Sequence, residues 1–144
     1  MVIVITQSSG VSIMRMPEGE DVAVEIAKFR GVHLDYVSHK EVEESDIPTD
    51  RTFRNALKDD LTIDMSKARE IHKEKLRRLR GPLLAALDVA YQRADEENDQ
   101  TKKDEIAAKK DALRDVTNDP AIDSAQTPEE LKAVIPEVLK GGKP

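Results

Sequence analysis

Three histidines are the side chains best suited to acid–base or metal chemistry. They are His33, His39 and His72, with Asp35 and Glu41 close to the first two. A metal or acid–base site can be drawn from these residues, but no HExxH-type spacing is present. We therefore expect His33 and His39 to be exposed to solvent. His72 falls on an apolar helical stripe and is predicted to be a partly buried interface residue.

No residue pattern indicates a catalytic nucleophile. The chain has no cysteine, which excludes thiol catalysis and thiolate zinc sites. Ser8-Ser9-Gly10 has no obvious base beside it, and it lacks the glycines and the following helix of a phosphate-binding loop. We interpret it as a hairpin turn. The sequence predicts a non-enzymatic protein with no catalytic residues, no metal ligands and no cofactor.

A basic cluster occupies one stretch of the predicted long helix. Its members are Lys73, Lys75, Arg77, Arg78 and Arg80. Such a cluster can grip phosphates, yet the chain as a whole is acidic and no aromatic residues interleave with the cluster. A solvated face, or a charged contact with the acidic first part of the chain or with an acidic partner, is favoured over nucleic-acid binding.

An apolar stripe on the same helix is the most informative pattern. It steps by three and four through Met65, Ala68, His72, Leu76, Leu79, Leu83, Leu87, Ala90 and Ala94. The following helix is shorter, so part of the stripe must meet the N-terminal sheet, a short C-terminal helix or another chain. The predicted interaction residues are Leu76, Leu79, Leu83, Leu87 and Tyr91.

Short strands and one helix are predicted for residues 1–63. Two apolar runs around residues 7–10 indicate a hairpin, and a helix is expected over about 20–30, with Gly31 ending it. Alternation of Val32, Leu34 and Tyr36 with polar residues predicts a third strand. Residues 38–50 are expected to form an exposed connector, and Phe53 and Leu57 to share a helical turn.

Helices are predicted for residues 64–144. Asp64 should cap a long helix, in which Pro82 should produce a kink or divide it into two helices. A polar turn and a second helix should complete an antiparallel hairpin, and Thr127-Pro128 should open a short C-terminal helix. The last four residues, GGKP, are expected to be mobile. The fold class is thus α+β, with a ββαβ unit over 1–63 and a helical unit over 64–144.

Composition limits the class of protein. Of 144 residues, 36% are charged and 3% aromatic, and the net charge is −6. No apolar run is long enough to span a membrane, and the first residues do not resemble a signal peptide. We expect a cytoplasmic protein with elongated helices and a small core.

Residues 64–139 resemble a helical segment found among tail proteins of tailed bacteriophages and prophages. The matching stretches are DMSKAREIHKEKLR, PLLAALDVAYQRADE, IAAKKDALRDVTNDPAID and TPEELKAVIPEVL, in that order, and DRTFRNAL resembles the junction before them. The resemblance implies a tail-fibre or tail-assembly protein and supplies no catalytic residues.

The expected function is a structural protein of a phage tail that binds tail or fibre subunits through its helices. It would be present in the host cytoplasm during assembly and then in the virion tail, and it could form a homo-oligomer. One alternative is an assembly chaperone that is absent from the virion. Another is a nucleic-acid-binding regulator that uses the basic cluster. A membrane partner is not expected.

Overall fold

The computed structural model describes residues 1–140, so the GGKP end lies outside the described residues. The chain divides into two compact units, Met1–Ala68 and Arg69–Pro144. This division falls in the first turn of the long helix, whereas the sequence placed the boundary between residues 63 and 64. The two units are described separately below.

The N-terminal unit contains a three-stranded antiparallel sheet with the order β2-β1-β3. Its strands are β1 (Val2–Gln7), β2 (Gly10–Arg15) and β3 (Tyr36–Val42). The β-branched run of β1 is central and buried, as expected for a strand with a neighbour on each side. The predicted hairpin is confirmed: Gln7 pairs with Gly10, leaving Ser8 and Ser9 as its turn.

Helix α1 (Val22–Val32) connects β2 to β3 and covers one face of the sheet. The Asp21 side chain caps it by accepting a hydrogen bond from the Ala23 N–H, at 2.7 Å. Ile26 packs against Ile3 and Ile5 of β1 and forms the core of this face. Val22 and Phe29 also pack against this cluster, so the helical spacing of Val22, Ile26 and Phe29 marks the buried side of α1.

The predicted end of α1 at Gly31 is wrong. The helix continues through Gly31 to Val32, and His33 is its C-cap. The His33 N–H donates to the Phe29 carbonyl, and its ring stacks on Phe29 with ring centroids 4.1 Å apart. The ring stacking and the capping bond stabilise this end without a glycine in the left-handed conformation.

The third strand lies later in the chain than predicted. Val32 is helical and Leu34 is 94% exposed, so the alternation over residues 32–36 does not mark a strand. Instead β3 occupies the first part of the predicted connector, where Val42 pairs with Val2 and His39 with Ile5. An edge strand has one neighbour only and tolerates polar residues. The polar composition of β3 therefore gives no strand pattern in the sequence.

The rest of this unit contains short turns. Two 3-10 turns, Glu44–Asp46 and Arg54–Ala56, precede a bridge between Leu57 and Ile63. The helical turn expected near Phe53 is confirmed, and Phe53 is buried.

The long helix α2 (Met65–Glu96) is a single helix that contains Pro82. The Asp64 carboxylate accepts hydrogen bonds from the N–H groups of Ser66 and Lys67, which confirms the predicted cap. Continuity through Pro82 excludes two separate helices; a kink at Pro82 stays a prediction.

Helix α3 (Gln100–Arg114) runs antiparallel to α2. The ammonium groups of Lys103 and Lys110 lie 2.6 and 2.5 Å from the carboxylates of Asp95 and Asp88, so residues later in α3 pair with earlier residues of α2. The turn contains Asn98 in the left-handed region, with φ of 56°, and Asp99 caps α3.

Three short helices follow: α4 (Pro120–Ser124), α5 (Pro128–Ala133) and α6 (Glu137–Lys140). The Thr127 hydroxyl accepts from the Glu130 N–H and so caps α5, as the sequence indicated. The α+β class is confirmed, although α4 and α6 were not predicted. Within residues 1–140, no helix combines the length and the apolarity that crossing a membrane requires.

Candidate protein-binding face of the long helix

The predicted stripe of α2 is largely core. Leu76 is fully buried and belongs to the interior of the chain, so it is not available as a surface contact. His72 and Ala94 are also buried, while Leu83 and Leu87 are half-buried. Of the five predicted interaction residues, Leu79 is the most exposed, at 45%.

Two arginines of α2 hold the ends of other helices. The Arg69 guanidinium donates to the carbonyls of Ile122 and Ala125 at the end of α4, at 3.3 and 2.9 Å. The Arg80 guanidinium donates to the Arg114 carbonyl at the end of α3, at 2.6 Å. Cations at helix C-termini satisfy free carbonyls and interact favourably with the helix dipole. The early part of α2 is therefore engaged by the C-terminal helices, which is one of the outcomes left open above.

His72 makes a third contact of this kind. Its Nε2 atom lies 2.8 Å from the carbonyl oxygen of Val134, the C-cap residue of α5. Since a carbonyl only accepts, Nε2 carries the proton and donates it. Burial lowers the pKa of His72, the bond to Val134 opposes this shift, and the nearby Lys75 adds to it. His72 is therefore completely buried in the core, whereas the sequence predicted partial burial.

Tyr91 is occupied by contacts within the helical hairpin. The ammonium groups of Lys103 and Lys110 lie 5.8 and 5.5 Å from its ring centroid, within the range of cation–π attraction. The same two lysines bind Asp95 and Asp88. Tyr91 therefore packs in the hairpin, and its half-buried ring offers little free surface.

The basic cluster does not form one continuous patch of free charge. Arg80 caps α3, Arg77 lies 3.1 Å from the Glu74 carboxylate, and Lys73 lies 3.7 Å from that of Glu70. Among residues 1–140, the side chains of Lys75 and Arg78 have no ion-pair partner. Three of the five side chains thus have partners within the chain, which leaves Lys75 and Arg78 as the members without a contact of this kind among the described residues.

A different set of residues forms an exposed apolar face on α2. The set consists of Leu79, Pro82, Ala86 and Val89. Spacings of three, four and three place them on one side of the helix, over about 15 Å. Val89 is 49% exposed, similar to Leu79. This exposed face of α2 lies beside the buried stripe, and Lys75, Arg78 and Arg93 flank it.

Sequence reasoning found only Leu79 of this face. The three-and-four spacing of the other members was present in the sequence, but it could not reveal which of two neighbouring apolar faces the C-terminal helices would cover. In the sequence, Pro82 indicates a kink rather than a contact, and alanines contribute little to an apolar pattern.

The histidines of the N-terminal unit make local contacts. The His39 Nδ1 atom lies 2.6 Å from the Tyr36 hydroxyl, and His33 stacks on Phe29. In the turn, Ser9 and Gln7 donate to the Asp35 carboxylate and lower its pKa. Within residues 1–140, no three His, Asp or Glu side chains converge as ligands for a metal ion.

Comparison of this chain with protein-family models, with curated proteins and with solved structures gives no match.

Proposed function

We propose that this chain is a non-enzymatic structural protein of a bacteriophage tail that binds another tail or fibre subunit through the exposed face of α2. Two lines support the proposal. The first is the ordered resemblance of residues 64–139 to helical segments of tail proteins. The second is the pair of large aliphatic side chains, Leu79 and Val89, that remain about half exposed on one side of a well-capped helix.

The exposed face also indicates the chemistry of its partner. Full burial of a large aliphatic side chain stabilises by about 1.5–3 kcal/mol, so removing the remaining exposure of Leu79 or Val89 is worth roughly half of that. Lys75, Arg78 and Arg93 beside the face favour a partner with an apolar groove and acidic edges. In this proposal the chain is assembled in the host cytoplasm and remains in the virion tail. A second copy of the chain is the other expected binder.

The test uses Leu79→Asp and Val89→Asp in the virus or prophage that encodes the chain. Both side chains are about half exposed, so we expect each variant to keep its circular dichroism spectrum and to melt within a few degrees of the wild type. Mass spectrometry of purified particles should find the wild-type chain and much less of either variant. Val24→Asp is the matched control, because Val24 is 48% exposed on α1 and lies outside the proposed face.

Three outcomes would contradict the proposal in different ways. Absence of the wild-type chain from particles, with co-purification of tail subunits before assembly, would favour the chaperone alternative. Equal incorporation of all variants would show that the exposed face of α2 is not the contact. Submicromolar DNA binding that declines steeply with salt, and is lost when Lys75 and Arg78 are neutralised, would favour the regulator.

A further inference from the structure

A cavity in the N-terminal unit combines an aliphatic lining with arginines. Its volume is about 220 Å³. The aliphatic lining consists of Val11, Ile13, Ile47, Leu57 and Ile63, all of which are half-buried. Val11 and Ile13 come from β2, and the others come from the segment that follows β3, which lies against β2 through its second 3-10 turn. The cavity is therefore built from two separate parts of this unit.

The charge of this lining is opposite to that of the surrounding unit. Residues 1–63 carry 12 acidic and 7 basic side chains. Of the basic ones, Arg15, Arg51 and Arg54 line the cavity, whereas Asp50 is the one acidic residue in its lining. An excess of cations in a cavity of an acidic unit favours an anionic ligand, because the local field attracts it.

Two of these arginines are available for a ligand. Arg15 is engaged, since its guanidinium binds the Glu44 carboxylate at 2.6 and 3.0 Å. The Asp50 carboxylate already accepts hydrogen bonds from the Thr52 N–H and hydroxyl, at 2.9 and 2.7 Å. Among the described residues, the guanidinium groups of Arg51 and Arg54 have no ion-pair partner.

We propose that this cavity binds a terminal carboxylate that carries a small aliphatic group. Arg51 and Arg54 bind the carboxylate, for which the planar guanidinium is well suited. The aliphatic lining buries the alkyl group. A volume of about 220 Å³ is below the usual range for drug-sized ligands and accommodates a group of the size of a leucine side chain and its carboxylate. The carboxylate can belong to a free acid or to the C-terminus of a peptide.

The test is a titration of the ¹⁵N-labelled full chain with N-acetyl-L-leucine, followed by amide chemical shifts. We expect saturable shifts in residues 11–13 and 51–63. N-acetyl-L-leucinamide, which lacks the charge, and acetate, which lacks the alkyl group, should each bind at least about tenfold more weakly. A short peptide ending in leucine separates the two sources. Binding at least tenfold tighter than the free acid assigns a chain terminus, and equal binding assigns a small acid.

Variants connect the binding to the arginines. The double variant Arg51→Gln/Arg54→Gln should bind N-acetyl-L-leucine at least about tenfold more weakly and keep a dispersed amide spectrum, since both side chains are exposed. Lys40→Gln removes one exposed cation of the same unit outside the cavity and should bind as the wild type does. Equal binding of acid and amide would overturn the proposal. So would shifts that do not saturate, or equal loss of binding in the double variant and Lys40→Gln.

Discussion

Protonation of His72 should destabilise the helical unit as the pH falls below neutrality. The imidazole is 1% exposed, and its Nε2–H caps α5 at the Val134 carbonyl. Burial holds the pKa of His72 below its ordinary value of 6.5 in the folded chain. The unfolded chain therefore binds this proton more readily than the folded chain. As a result, the free energy of unfolding decreases as the pH falls below about 6.5.

The size of the effect follows from proton linkage. In the limit where the folded state takes up no proton, lowering the pH from 7.5 to 5.5 costs about 1.4 kcal/mol through this one residue. Hydrogen bonds from Ser9 and from Thr62 hold the pKa values of Asp35 and Asp60 below the ordinary value of a carboxyl group, so these carboxylates lose their contributions at lower pH than this window. A decrease of up to about 1.4 kcal/mol between pH 7.5 and 5.5 is therefore expected from His72.

Urea unfolding monitored by circular dichroism at 222 nm measures this change. His72→Gln keeps an N–H donor for the Val134 carbonyl but does not titrate, so its stability should be nearly constant over the window. His39→Gln is the matched control, because His39 is exposed on β3, and it should follow the wild type. Parallel losses in wild type and His72→Gln would refute the assignment, as would a wild type whose stability does not change.

Three further predictions use unfolding free energies of the full chain. Arg80→Gln should lower the free energy of unfolding by about 0.5–1.5 kcal/mol, because it removes the cap of α3. Arg78→Gln should change it by less than about 0.5 kcal/mol, and equal effects of the two variants would contradict the capping role. Gly81→Ala should stabilise the folded chain by about 0.5–1 kcal/mol, because Gly81 is inside α2 and an added Cβ meets nothing within 4 Å. Destabilisation would show that Gly81 is not in an open helical position. Leu76→Ala should cost about 2–5 kcal/mol, and Leu79→Ala much less, since only Leu76 is buried; similar costs would refute the separation of the two faces.

Elements with strong local signals could be predicted from the sequence. The cap at Asp64, the three-and-four periodicity of α2 and the Thr127 cap are local features, and each has its expected structure. The strand β3 could not be predicted, because its polar residues are stabilised by pairing with β1, which is distant in sequence. Pairing of this kind depends on the sheet as a whole and leaves no apolar pattern.

The candidate face was predictable only in part for a related reason. The periodicity of α2 identifies apolar positions, but their exposure depends on where the short C-terminal helices pack. The contacts of Arg69, His72 and Arg80 with helix ends join residues 34 to 62 positions apart. No local rule relates residues so distant, so the sequence predicts a surface role for the whole basic cluster, although Arg80 caps α3.

Position around α2 should therefore separate effects on stability from effects on the proposed binding. Arg69, His72, Leu76 and Arg80 lie on the side of the helix that is buried or that caps α3, α4 and α5, so substitutions there should affect folding. Leu79 and Val89 lie on the exposed side, where substitutions should leave folding intact. Because the two sides belong to one helix, loss of binding without loss of stability in Leu79→Asp identifies a contact surface, and a combined loss would place Leu79 in the core.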